Sequence, residues 1–310
     1  VSPSSLSFSP STWNSPQTVT VTAVNDSVDE DVHPGVVTHA INVASTLDAV
    51  YDAVAAVQTT TQISDDDTAG FTFSPASGLT VTEAGGTAVF SVRLNSQPTA
   101  NVSISLSSGD VTEGTVAPAS LTFTSSDWST VQNVTITGVD DSIDDGDIAF
   151  SIVTAAATSA DAKYAGLNPA DVGATCSDDD TAAFVIVESD GATAVAEGGA
   201  TDTFTVRLAT QPVGGAVQLA LAGTQVGSAP ASIWFSDTGS VSGAGTVGDP
   251  RRWSSAFTVT VTANDDAVAE GSHAGSVALS AAGGGYGSVV GTVSVAIADN
   301  DSPGFIVAVA

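Results

Sequence analysis

The 310-residue sequence predicts an all-β fold of antiparallel sandwiches strung in tandem. Three observations carry this: a composition of strand and turn formers, apolar residues alternating at period two, and a unit that repeats along the chain. Hydrophobic residues make up 42%, enough to fill cores, and Met is absent while Val, Thr, Ala, Ser and Gly dominate. Such a mixture favours strands and tight turns over helices.

The alternation locates the strands. Val131–Thr137 (VQNVTIT), Phe257–Thr262 (FTVTVT), Ala88–Leu94 (AVFSVRL) and Val102–Leu106 (VSISL) each place apolar side chains on one face, as half-buried strands require. Gly85-Gly86, Gln97-Pro98 and Ser107–Asp110 are the turns between them. About seven such strands per unit are best satisfied by two sheets packed face to face. Two segments, His39–Gln58 and Ser159–Asp171, break the rhythm and are expected to be loops or short helical turns.

The repeat gives the layout. VSPSSLSFSPSTWNSPQTVTVTAVNDSVDE, from Val1, aligns without a gap on VAPASLTFTSSDWSTVQNVTITGVDDSIDD, from Val116, and RRWSSAFTVTVTANDDAVAEG is a diverged third copy. Trp13, Trp128 and Trp253 thereby share one position, where each indole is expected to plug an end of its sandwich. The segments from Thr68 and Thr181 match likewise, pairing Glu83 with Glu197 and Arg93 with Arg207. Residues 1–67 are expected to be the C-terminal part of one repeat, and 68–180 and 181–301 complete repeats. An enlarged Gly- and Ser-rich loop is expected at 236–252, and residues 302–310 are expected to start a further repeat, within a longer chain. With almost no linker between them, the units should stack end to end.

Asp plus Glu total 34 against five Lys plus Arg, a formal net charge of -29, which disfavours nucleic acid and anionic membranes as partners. Cys176 stands alone, so no disulfide forms within the chain, and no apolar stretch reaches membrane-spanning length. His33, His39 and His273 are taken to recur at no repeat position, and 68–180 contains no His, which argues against a Ser–His–carboxylate centre. Aromatics are only 6%, leaving paired carboxylates without a sugar-binding cleft, and Gly283-Gly284-Gly285 has no Lys to cradle phosphate. No enzyme is expected.

The acids instead fall in recurring clusters at strand ends. In 68–180 they are Glu83, then Asp140, Asp141, Asp144 and Asp145, then Asp178, Asp179 and Asp180, with Asp110 and Glu113 as additional candidates. In 181–301 they are Glu197, then Asp265, Asp266 and Glu270, then Asp299 and Asp301; in the first segment they are Asp26 and Glu30, then Asp65, Asp66 and Asp67. Strand ends distant in sequence meet at one pole of a sandwich, and carboxylates gathered there repel unless protonated or paired. Ca²⁺, with 6–8 hard oxygen ligands in flexible geometry, resolves the repulsion better than octahedral Mg²⁺. Softer metals are poorly served, because the three His and Cys176 show no metal-site spacing. A solvated rim of turn-forming Asp would not explain why the three groups return in order.

VTEAGGTAVFSVRL (81–94), VTITGVDDSIDDGD (134–147) and SDDD (177–180) resemble the Calx-beta domain. The resemblance implies tandem immunoglobulin-like antiparallel β-sandwiches. It also implies calcium ligands at Glu83, at Asp140, Asp141 and Asp145, and at Asp178, Asp179 and Asp180, with their equivalents in the next copy. Asn300 inside the last triplet and Ala267 and Ala269 in the acid run imply a thinner second site. Calx-beta domains occur as calcium sensors of sodium–calcium exchangers and in tandem in large surface proteins. The expected function is therefore a calcium-stabilised structural repeat region of an extracellular or cell-surface fibre, filament or adhesin. Its partners would be neighbouring repeats and further copies of the chain, with no direct membrane insertion. The alternative is a partner- or glycan-binding module; Asn25, Asn101, Asn133 and Asn300 open glycan-acceptor sequences.

Overall fold

A computed structural model describes residues 1–46 and 48–305. Residues 306–310, most of the expected further repeat, lie outside the described residues. Strands dominate: β1 (His33–His39) and β2 (Val57–Ile63) form a two-stranded antiparallel sheet. Between them a single helical turn, α1 (Ala49–Asp52), is capped by the Asp48 carboxylate accepting from Val50 N.

The next unit contains β3 (Phe71–Ser74), β4 (Leu79–Thr82), β5 (Thr87–Leu94), β6 (Val102–Ser108) and β7 (Gly114–Ala117). It continues through β8 (Ser120–Phe123), β9 (Gln132–Gly138), β10 (Ile148–Thr154), β11 (Thr158–Ser159) and β12 (Val172–Ser177). One sheet has the order β3-β5-β9-β7; the other has β11-β6-β10-β12-β4, with β8 also on β6. All pairings are antiparallel except β4 on β12, because the first strand crosses between sheets after Ser74. The following unit repeats this order with β13 (Phe184–Glu188), β14 (Thr193–Ala196), β15 (Asp202–Leu208), β16 (Val217–Thr224) and β17 (Val226–Ala229). Its remaining strands are β18 (Ser232–Ser236), β19 (Arg251–Arg252), β20 (Phe257–Ala263), β21 (His273–Ala282) and β22 (Val290–Ala298), and β14 runs parallel to β22.

Each sandwich closes on its own core. Phe90, Val92, Val134 and Ile136 face Ile104, Phe123, Ile152 and Val172 in the first, and Val206, Val259 and Val261 face Leu219, Ile233 and Val277 in the second. Trp128 and Trp253 pack against these cores, and their carbonyls accept from Leu94 N and Leu208 N, both at 3.0 Å. Trp13 is 68% exposed, since residues 1–67 hold no counterpart of β5, and of the β7–β9 pairing they keep only the bridge between Ser2 and Thr20. The 236–252 segment is folded back onto its sheet: Arg251–Arg252 pairs parallel with Phe235–Ser236, and the Arg251 guanidinium lies over the Phe257 ring and donates to the Ala256 carbonyl.

Residues 159–171, which broke the strand rhythm, serve to bury a tyrosine. The Tyr164 hydroxyl accepts from Ser96 N at 3.1 Å and donates to Ser96 O at 2.7 Å; Tyr286 does the same with Thr210 N and O, both at 2.9 Å. Tyr164→Phe leaves two buried backbone groups without their partner and should lower the unfolding free energy by about 1–3 kcal/mol. Urea unfolding of the chain checks this, and Tyr286→Phe should behave alike.

Candidate metal centre

The parallel pairing of β4 with β12 builds the pole. Its register runs Leu79↔Ala174 to Thr82↔Ser177, and Glu83 N then donates to Ser177 O at 3.1 Å. Glu83 therefore leaves its strand beside Asp178, although 95 positions separate them in the sequence. The second unit repeats the step: Ala196 pairs with Ala298, and Glu197 N donates to Ala298 O at 3.0 Å, beside Asp299.

The other acids arrive from the β9–β10 connection and from the turn before β7. Gly138 N donates to Gly86 O and Val139 N to Glu113 O, which brings Asp140, Asp141 and Glu113 to the same end. Gly138 is required here, because a Cβ at this position would sit 2.0 Å from the Thr82 carbonyl oxygen. Asp178 then ties the connection down. Its Oδ2 accepts from Asp145 N at 3.1 Å and Gly146 N at 2.7 Å, and its Oδ1 accepts from Asp180 N at 2.7 Å.

Carboxylate oxygens of Glu83, Asp178 and Asp180 lie within 4.8 Å of one another. So do ligand atoms of Glu83, Glu113 and Cys176. Glu83 is 2% and Glu113 5% exposed, and Oε2 of each is buried with no hydrogen-bond partner. Burial, followed by the charges of Asp178, Asp141, Asp145 and Glu113, pushes the Glu83 carboxyl from 4.5 to about 7. Burial, with neighbouring acids adding to it, likewise raises Glu113, Asp145 and Asp180. This pole gathers anionic oxygen, brings it no Lys or Arg, and leaves Oε2 of Glu83 and of Glu113 without a proton donor, a donor set that suits a hard divalent cation.

The remaining expected residues divide. Asp140 and Asp141 face Asp180, and Asp179 beside them is exposed. Asp110 stays in its own turn, its Oδ1 accepting from Thr112 N and Oγ1. In the second unit Glu197 gathers with Asp299 and Asp301, with Asp266 nearby, and Oε2 of Glu197 and Oδ2 of Asp301 are buried without partners. Asp265 is instead engaged by Asn300, whose Nδ2 donates to Asp265 Oδ1 at 3.1 Å and Glu197 O at 2.9 Å. In the first segment Asp65, Asp66 and Asp67 cluster; Asp65 accepts from Glu30 N and Asp67 N, and Asp26 accepts from Val28 N.

Two expectations need correction. His33 and His273 do share a repeat position: each opens its strand, β1 or β21, seven residues after Asp26 or Asp266. The aligned segments stop short of both histidines and the run before them has diverged (SVDEDV against AVAEGS), which concealed this; the equal spacing was the available signal. Cys176 also reaches the pole, since its strand ends there, beside Glu83 and Glu113.

The family model for the Calx-beta domain matches residues 64–190. This segment is a Calx-beta domain. No curated protein matches the chain. Among solved structures, CBD12 from CALX1.2 is 15% identical, covering 68% of this chain and 79% of that one with a TM-score of 0.30. The apo form of the Calx CBD1 domain is 19% identical over 37% and 100%, with a TM-score of 0.30. The titin domains z1z2 in complex with telethonin are 14% identical over 76% and 99%, with a TM-score of 0.32.

The electrostatics of the Calx-beta domain set a pH dependence for metal-free protein. Because the fold raises the Glu83 carboxyl to about 7, the folded state holds a proton that the unfolded chain has released. Its stabilising contribution is full below about pH 4.5 and is lost as pH rises to about 7. In chelator, the unfolding midpoint should fall across that interval, and Glu83→Gln should flatten the fall. A wild-type midpoint that climbs instead would contradict the assignment.

Proposed function

We propose that the acidic poles bind calcium, and that the chain is a calcium-stabilised structural repeat region of an extracellular or cell-surface fibre, filament or adhesin. The observation that carries this is the buried, partnerless oxygen on Glu83, Glu113 and Glu197. Burying anionic oxygen without a counter-charge costs several kcal/mol, and a cation coordinated there removes the cost. In the Calx-beta domain the ligands are drawn from Glu83, Glu113, Asp140, Asp141, Asp145, Asp178, Asp179 and Asp180. The next unit supplies Glu197, Asp265, Asp266, Glu270, Asp299 and Asp301, and the first segment Asp26, Glu30, Asp65, Asp66 and Asp67.

The contacts between successive units support a structural role. Ser27 O accepts from Gln97 N at 2.6 Å, and Ser142 O accepts from Gln211 N at 2.7 Å. Asp29 Oδ2 accepts from Ala69 N at 2.9 Å, and Asp144 Oδ2 from Ala182 N at 2.8 Å. The same acidic connection that lines one pole thus holds the next unit by the same two bonds at both junctions. A cation ordering that connection would also order the junction. The reading assigns a binding and supporting role and no reaction. Among the described residues no helix is long and apolar enough to cross a membrane.

Calcium at about 100 times its Kd should stabilise the fold by about 2.7 kcal/mol per site, read as a rise in melting temperature that chelator reverses. An unchanged melting temperature would overturn the proposal. Replacing Asp140 and Asp141 together by Ala should remove the calcium heat of the Calx-beta domain in calorimetry, and undiminished stoichiometry would exclude these ligands. Small-angle scattering should report a longer, less variable particle with calcium than without.

A further inference from the structure

We infer that the pole of the 181–301 unit also takes a transition-metal dication of the zinc class, held by His273 Nε2 and the carboxylates of Glu197 and Glu270. The inference shares two carboxylates with the calcium reading and does not depend on it.

The imidazole is oriented as a ligand. His273 Nδ1 lies 3.0 Å from the Gly271 carbonyl, which only accepts, so Nδ1 carries its proton. Nε2 is left to face acids, 3.4 Å from Glu270 Oε2 and 4.0 Å from Glu197 Oε1. A backbone carbonyl on the far nitrogen is the usual way a metal-binding His is fixed in tautomer and direction. Zinc bonds to His nitrogen and carboxylate oxygen are about 2.0–2.2 Å, so tetrahedral ligand atoms stand roughly 3.4 Å apart. The imidazole and Glu270 stand at that spacing, 3.4 Å, Glu197 is farther off at 4.0 Å, and all three ligand atoms lie within 4.8 Å of one another, so Glu197 closes in on binding. The second observation is independent of the histidine: Glu197 is 4% exposed, and its Oε2 is buried with no partner.

The change in donors between units points the same way. The Calx-beta domain has Glu113, Asp179 and Ile148 where the second unit has Gln225, Asn300 and His273. The backbone confirms the first equivalence, since Val139 N bonds to Glu113 O and Asn264 N to Gln225 O. Two carboxylates are thus lost and one imidazole gained. Fewer hard oxygens weaken a calcium site, whereas an imidazole suits zinc. Three protein ligands leave a fourth position for water, and binding displaces any proton on Nε2. His33 repeats only the carbonyl contact: its Nδ1 is 3.2 Å from Asp31 O, Glu30 Oε2 lies 3.9 Å from that same nitrogen and not from Nε2, and residues 1–67 hold no counterpart of Glu197.

The test is a Zn²⁺ titration of the metal-free 310-residue chain, following the imidazole proton resonances of its three histidines by NMR. His273 should shift to saturation at one equivalent, with His39 unmoved and His33 responding only at higher Zn²⁺. His273→Gln, at the half-buried start of its strand, should weaken that equivalent at least about tenfold while preserving the amide spectrum. An unmoved His273, or Zn²⁺ binding undiminished in His273→Gln, would overturn the inference. Calcium calorimetry on the same samples separates the two claims: a zinc response without calcium heat removes only the calcium reading, and calcium heat without a His273 shift removes only this one.

Discussion

The architecture turns on one pair of parallel hydrogen-bonded strands in each unit. An all-antiparallel sandwich would leave its first strand in a single sheet. Here the chain changes sheets after Ser74 and runs alongside its own last strand, so that the residues leaving both strands emerge together. Glu83 and Asp178 become neighbours by that register, and Glu197 and Asp299 by the matching one. The carboxylates are gathered by the backbone bonds of these strands and not by any attraction among the side chains they carry.

The sequence declared the fold more fully than the pole. Alternation located β20 and β9 to within a residue, because one buried face imposes period two, while β6 runs on to Ser108, into the segment expected to turn. The order of the acid groups was legible from internal repetition. Which acids converge was not, since that depends on the register of β4 against β12 and on the close approach at Gly138. Asp110 and Asp144 look like their neighbours in sequence, yet their carboxylates are spent on backbone amides. Cys176 and His273 were passed over because sequence spacing says little about ligands brought from separate strands.

The two tyrosines show the same limit. Tyr164 and Tyr286 lie in segments that look irregular in one dimension, and each closes a buried pair of backbone groups across the sandwich. Irregular sequence here marks a place where a long side chain substitutes for a strand's ladder bonds.

The two junctions differ in one respect. At the first, Lys163 Nζ reaches back to Asp29 at 2.7 Å and Asp31 at 2.6 Å, while the position matching Lys163 in the next unit is Gly285. The two hydrogen bonds common to both joints are thus joined at the first by a fixed positive charge that spans the units, and the same acidic connection meets no such cation among the described residues at the second.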